Sequence, residues 1–178
     1  LPDTEVRPTE DGYRLLQKSF RQGVIEVELG YRLTHRVNAP IADVATLEAL
    51  VGEIAPVIEL PDTAMAGGKP NAFDLIAGNV GVRRVIIGPG RAPSLTEPNR
   101  IQIDLYREGE PVSRGDARGV QGDQWQALLW LVNRTVASGW VIEPQQWLIT
   151  GAIGPAAPLQ TGVYVADYGD FPRDDLVL

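Results

Sequence analysis

The ten residues Val24–Leu33, VIEVELGYRL, constrain this chain more than any other stretch. In extended backbone, side chains alternate between faces. One face then carries Ile25, Val27, Leu29, Tyr31 and Leu33. The other carries Val24, Glu26, Glu28, Gly30 and Arg32. An apolar face of that length has to be buried, so the chain must build a sheet over a core. Glu26 and Glu28 stand roughly 7 Å apart along one strand face. A third carboxylate, Glu59, interrupts the apolar run Val57, Ile58, Leu60. A charge in such a run is costly unless something pairs it. Two readings stand. The pair is a solvated strand face with Glu59 at a strand end, or the three carboxylates hold a hard divalent cation through oxygen ligands.

Composition narrows the remaining classes. The 178 residues read as one domain, 1–178, with 1–22 as a peripheral N-terminal segment. The net charge is −7, and the 16 basic residues are spread along the chain. Without a basic stripe, nucleic acid and anionic membrane surfaces are not the expected partners. The chain has no cysteine, which excludes disulfides, thiolate metal sites and cysteine nucleophiles. A single histidine, His35, cannot build a multi-histidine metal site, and its setting between Thr34 and Arg36 reads as an exposed loop. No apolar run reaches the length of a membrane span. A chain that opens Leu1-Pro2 reads as a processed product or fragment, with signal-peptide removal as one route.

The order of elements reads as α+β. After the first strand, Pro40 opens a helix of about three turns carrying Val44, Leu47, Val51 and Ile54. Ala55–Leu60 is the next strand. Asn71 caps a short helix to Ala77, and Val82–Ile87 is an apolar strand. Ile101, Ile103 and Leu105 alternate with polar residues, and Glu108–Glu110 turns the chain back. Asp123–Ser138 is the longest helix, with Trp125, Leu128, Leu129, Val132 and Val136 on one face; Trp130 and Leu131 widen that face, which predicts burial on more than one side. Gly139 stops it. Short strands follow at Gln146–Ile149, Leu159–Tyr168 and the C-terminus. Such a pattern builds a mixed, curled β-roll or barrel with two or three packed helices.

The stretches IEVEL (25–29), APVIELPD (55–62), KPNAFDLIAGNVGVRRVIIG (69–88), QALLWLVNRTVASG (126–139) and WLITGAIGP (147–155) resemble the fumarylacetoacetate hydrolase superfamily in order and spacing. The likeness covers most of residues 20–170 and is stronger to the 2-keto-4-pentenoate hydratase branch. It implies the catalytic C-terminal domain of that family, a β-roll with Mg²⁺ or Mn²⁺ at its mouth. On this resemblance Glu26, Glu28 and Glu59 are the metal ligands. Lys69 is the catalytic basic residue that meets the substrate anion, and the alternative is an exposed loop lysine. Asn79, Thr150 and Gly151 are substrate-binding, with glycine at 151 permitting close backbone approach; for Asn79 the alternative is a loop cap. Asp62 either supports the metal ligands from behind or forms a turn.

The implied activity is a metal-dependent hydro-lyase acting on small 2-keto or 2-hydroxy-dienoic acids, as in aromatic catabolism. The alternatives are acylpyruvate hydrolysis or oxaloacetate decarboxylation on the same fold, or a non-catalytic relative serving as a binding or assembly subunit. The resemblance also implies a homo-oligomer or a place in a larger complex. The family default is cytoplasmic, with export as the alternative. Two departures stand out. The family's Asp-Asn-Ala-Ser-like stretch reads Gly78-Asn79-Val80-Gly81-Val82, and the family's N-terminal segment has no counterpart in these residues.

Overall fold

The computed structural model describes residues 6–9, 12–64, 71–169, 171 and 174–177. Its frame is one long hairpin. Strand β3 (Val24–Leu33) pairs antiparallel with β4 (Val51–Pro61), register Glu26 to Glu59 and Glu28 to Val57. Between them lies α1 (Val44–Leu50), capped by Asp43, whose carboxylate accepts from Thr46 N at 2.8 Å. This helix is seven residues, shorter than the sequence spacing predicts. Val51 and Ile54 belong to β4, where they pair with Leu33 and Tyr31. A spacing of three fits a strand once a bulge adds a residue, and the ladder skips Gly52 between Val51 and Glu53; β-branched Val51 and Ile54 also favour the strand. Pairing with β3 decides between them.

Strand β4 pairs in turn with β5 (Val82–Ile87), and β3 pairs on its other edge with β8 (Trp147–Ile149). The five-stranded sheet runs β5-β4-β3-β8, with β9 (Ala157–Pro158) joining β3 at Val24 and Ile25. A second sheet holds β1 (Val6–Thr9), β2 (Gly12–Leu15), β11 (Asp174–Val177), β10 (Val163–Asp167), β6 (Gln102–Arg107) and β7 (Glu110–Asp116), in that order. Its β2–β11 pair is parallel and the rest are antiparallel, so the sheet is mixed. The sheets curl into a half-barrel, the architecture that the sequence implies.

One core fills the curl. Ile25, Leu29 and Tyr31 from β3 meet Leu47 of α1, Ile103 and Leu105 of β6, Tyr164 of β10, and Trp125 and Leu128 of helix α3 (Gln124–Ala137). Leu15 of β2 joins the same core. Helix α3 starts at Asp123, whose carboxylate accepts from Gln126 N at 2.9 Å, and ends before Gly139, which takes φ +85°. Its apolar stripe is single. Trp130 lies five positions past Trp125, about 140° round the helix, and is 56% exposed. The expectation of burial on a second side is therefore corrected: nothing among the described residues covers that face of Trp130.

Helix α2 (Ala72–Ala77) is capped as the sequence predicts: Asn71 Oδ1 accepts from Phe73 N at 2.8 Å and from Asp74 N at 3.1 Å. Past it, Val80 takes φ 55° and Gly81 φ 78°. The Gly81 carbonyl accepts from Asp62 N at 2.8 Å, and a β-carbon on Gly81 would come within 2.6 Å of the Asp62 carbonyl oxygen. A glycine is needed there on both counts. The departure Asn79-Val80-Gly81 thus forms a tight left-handed turn against the end of β4.

Candidate metal centre

Alternation and register together assemble a carboxylate cluster. Glu26 and Glu28 are two apart on one face of β3, and Glu59 sits opposite Glu26 on β4. One oxygen from each lies within 4.8 Å of the others. Glu28 and Glu59 are buried, and Glu26 is half-buried. The solvated-face reading therefore fails for Glu28, and Glu59, two residues inside the end of β4, is buried as well. Among the described residues the ion pairs are Arg32 with Glu53, Arg36 with Glu143 and Arg114 with Asp104, so no basic side chain pairs with the trio.

The electrostatic consequence falls mainly on Glu28. Burial, then hydrogen bonding to Glu59 and repulsion from both glutamates, pushes its carboxyl up to about 8, against a backbone hydrogen bond that pulls it down. Glu26 is also raised, by burial and then by Glu59. The bond that stabilises the ionised form comes from Gly151 N, which donates to Glu28 Oε2 at 2.8 Å. Gly151 takes φ +118°, while a β-carbon there would find only Val120 Cγ1, at 3.9 Å. Within the protein itself, glycine is required at 151 by its backbone angle.

Thr150 lies on the other side of the sheet. Its hydroxyl donates to Gln124 Oε1 at 2.8 Å, as does the Tyr31 hydroxyl, also at 2.8 Å. Burial first, then Asp123 and Glu97, drives the Tyr31 hydroxyl far above the ordinary tyrosine range, so it keeps its proton and donates. Gln124 Nε2 donates to the Ala117 carbonyl at 2.7 Å, and the Gln124 side chain is completely buried. Sequence reasoning missed Gln124. A glutamine just after an N-cap Asp reads as an ordinary helix start, and no pattern in the chain announces its partners.

Asp62 resolves as a turn former. Its carboxylate accepts from the backbone N–H groups of Arg21 at 2.9 Å, Gln22 at 3.0 Å and Ala64 at 3.1 Å. Burial raises its carboxyl, but these three donors and nearby Arg83 outweigh that and hold it below the usual range. Asn79 opens the left-handed turn, its side chain lying outside the described residues; Lys69 lies wholly outside them. A concavity of about 650 Å³ opens beyond β4, lined by Arg21, Asp62, Asp74, Gly81 and Arg83. The three glutamates are not among its lining residues.

No family model matches the chain. Among solved structures it is similar to 4-oxalocrotonate decarboxylase from Pseudomonas putida G7, complexed with magnesium and adipate: TM-score 0.83, 19% identity, 90% of this chain and 62% of that one. It is likewise similar to a Yersinia pestis CO92 protein named for the fumarylacetoacetate hydrolase family, with TM-score 0.70, 11% identity, and coverage of 93% and 73%. This is the fumarylacetoacetate hydrolase fold. The sequence likeness falls on the hydratase branch of that superfamily. A 2-keto-4-pentenoate hydratase of Burkholderia vietnamiensis is 26% identical over 159 residues, 88% of this chain and 60% of the relative. A 2-hydroxyhexa-2,4-dienoate hydratase of Comamonas testosteroni is 24% identical over 162 residues, 89% of this chain and 61% of the relative. The chain thus spans about 60% of the length of these relatives.

Proposed function

We propose that this protein is a divalent-metal-dependent hydro-lyase acting on small 2-keto or 2-hydroxy-dienoic acids. The observation that carries the reading is the convergence of Glu26, Glu28 and Glu59 within 4.8 Å, with two of them buried and no basic residue paired to them among the described residues. Such a cluster is self-repelling as it stands. An oxygen-ligated hard cation removes the repulsion, and the donor set fits one. Glu26, Glu28 and Glu59 would hold it. The P. putida decarboxylase is seen with magnesium and also with calcium; for this chain Mg²⁺ or Mn²⁺ is the proposed ion. When bound, the cation supplies Lewis-acid polarisation of a substrate carbonyl.

The chain's own groups do the rest. Gly151 N–H steadies one oxygen of Glu28. Thr150 gives its hydroxyl hydrogen to buried Gln124 on the far side of the sheet, so its proposed part in substrate binding falls to the backbone of the Thr150-Gly151 turn. Lys69 is the proposed partner of the substrate anion, and Asn79 of a polar group or water beside it. A second reading rests on the likeness to 4-oxalocrotonate decarboxylases in both fold and sequence, the latter 24% over 141 residues. The same site would then release carbon dioxide from a 2-keto acid. A homo-oligomer or a larger complex is the proposed assembly.

The test is a steady-state panel with Mn²⁺ present: a 2-hydroxypentadienoate, an oxalocrotonate-type acid, an acylpyruvate and oxaloacetate. Hydration of the dienoate is expected, with Glu59→Ala lowering kcat/KM by about a hundredfold or more. Metal-loaded protein that turns over none of the four contradicts the reading and favours a binding or assembly subunit.

A further inference from the structure

We infer that Gln124 is a positioning residue, which fixes the Thr150-Gly151 turn from beneath the sheet and so holds the Gly151 N–H on the Glu28 carboxylate. The inference deepens the proposed metal site and rests on that reading for its role.

Three observations carry it. First, Gln124 is completely buried and every polar atom of its side chain is engaged: Oε1 accepts from the Tyr31 and Thr150 hydroxyls, and Nε2 donates to the Ala117 carbonyl. The Nε2 bond fixes the orientation of the amide, because an exchange of oxygen and nitrogen would set oxygen against a carbonyl. Second, the backbone of Gln124 is itself anchored. Its N–H donates to Asn99 Oδ1 at 2.7 Å, and Asn99 Nδ2 donates to the capping Asp123 at 2.8 Å. The start of α3 is therefore a rigid post. Third, its two hydroxyl partners lie on neighbouring strands, β3 and the end of β8. Those strands are joined by the register Gly30 to Ile149, one residue before Thr150. One side chain thus ties Tyr31, three residues after Glu28, to Thr150, the residue before the N–H that Glu28 accepts.

The chemistry explains why such a tie is useful. β8 is only three residues long and ends at Ile149, and the next described backbone bond to β3 is Ile153 N–H to the Val27 carbonyl at 2.8 Å, so Thr150 and Gly151 lie in an unladdered gap between the two. Gly151 at φ +118° occupies a backbone region that the sheet does not enforce. Without the Gln124 tie, the peptide between these two fixed points can turn its N–H away from Glu28. Groups that orient metal ligands from behind typically change metal affinity by 10–100-fold.

The experiment compares Gln124→Leu, Thr150→Val and Thr150→Ser with the unmodified chain. Thr150→Val keeps the shape and removes only the hydroxyl, so it serves if Gln124→Leu does not fold. Thr150→Ser restores the hydroxyl. In metal-free protein, the Gly151 amide proton shift and its hydrogen-exchange protection are read by NMR at one fixed pH. In parallel, Mn²⁺ affinity is read by calorimetry. The expected result is faster Gly151 exchange, a displaced amide shift and about tenfold weaker Mn²⁺ binding in Gln124→Leu and Thr150→Val, with Thr150→Ser within about twofold of the unmodified chain. The inference is overturned if the Gly151 amide is unmoved in folded variants. It is equally overturned if the amide moves while Mn²⁺ affinity stays the same, or if Thr150→Ser is as damaging as Thr150→Val, which would reduce the effect to packing. If the unmodified chain binds no Mn²⁺, the metal reading fails separately. The Gly151 amide and the Glu28 carboxyl carbon shift then decide by themselves whether Gln124 positions Glu28.

Discussion

Glu28 is held where a carboxylate is disfavoured. It is buried, it faces Glu59 and Glu26, and its one described compensating bond is the Gly151 N–H. In the metal-free protein it keeps its proton until about pH 8, whereas in the unfolded chain it loses it near the ordinary glutamate value. Between those two values the folded state binds more protons than the unfolded state. Stability from this group therefore falls as pH rises through that window. The unfolding free energy from urea titrations without metal should drop from pH 5 to pH 9 by an amount on the order of a few kcal/mol, and Glu28→Gln should flatten the trend. A profile that stays the same in Glu28→Gln would show that the burial and repulsion around Glu28 are not what sets it. Metal binding must displace the same proton, so Mn²⁺ affinity should strengthen as pH rises toward 8. Gly151→Ala, forced to hold φ +118°, should cost about 1–3 kcal/mol in chemical denaturation, because no ordinary side chain sits easily at that angle.

The hairpin of β3 and β4 was legible in the sequence because strand alternation is strict. Five apolar residues on one face of VIEVELGYRL leave little choice of register, and the same alternation sets Glu26 and Glu28 side by side. Glu59 was legible as a charge in an apolar run, although its place opposite Glu26 needed the pairing. Other elements were ambiguous for a physical reason. Leu47, Val51 and Ile54 fit a helical stripe as well as they fit a helix ending before a strand, and only contact with Leu33 and Tyr31 settles it. Trp130 reads as core on composition, yet the single stripe of α3 leaves it outside. Gln124 and Tyr31 were invisible as a pair, because they are 93 residues apart and neither belongs to a motif. The turn at Asn79–Gly81 gives a prediction at this scale. Asp62 links three backbone donors and the Gly81 carbonyl at the end of β4. Asp62→Ala should destabilise by about 1–3 kcal/mol, since it removes three part-buried hydrogen bonds to a carboxylate, and Asp62→Asn by less. A urea midpoint within experimental error of the unmodified chain would contradict that role for Asp62.

At the scale of the whole molecule, two curled sheets close over one core, and the self-repelling carboxylates lie on the central hairpin of the five-stranded sheet. The arrangement couples the proposed site to global stability. A cation that binds only the folded chain adds about 2.7 kcal/mol when free metal is a hundredfold above Kd. Thermal scans should therefore show a midpoint that climbs with Mg²⁺ or Mn²⁺, and Glu26→Gln/Glu28→Gln should remove the climb. The overall charge of −7 means that nonspecific cation screening also contributes, so K⁺ at matched ionic strength is the control. The measurement that bears most directly on the central claim is calorimetric titration of the unmodified chain with Mg²⁺ and with Mn²⁺, repeated on Glu26→Gln/Glu28→Gln. One ion per chain, lost in the double variant, is the predicted result. No binding to the unmodified chain, or binding that the double variant retains, would contradict a metal centre at Glu26, Glu28 and Glu59.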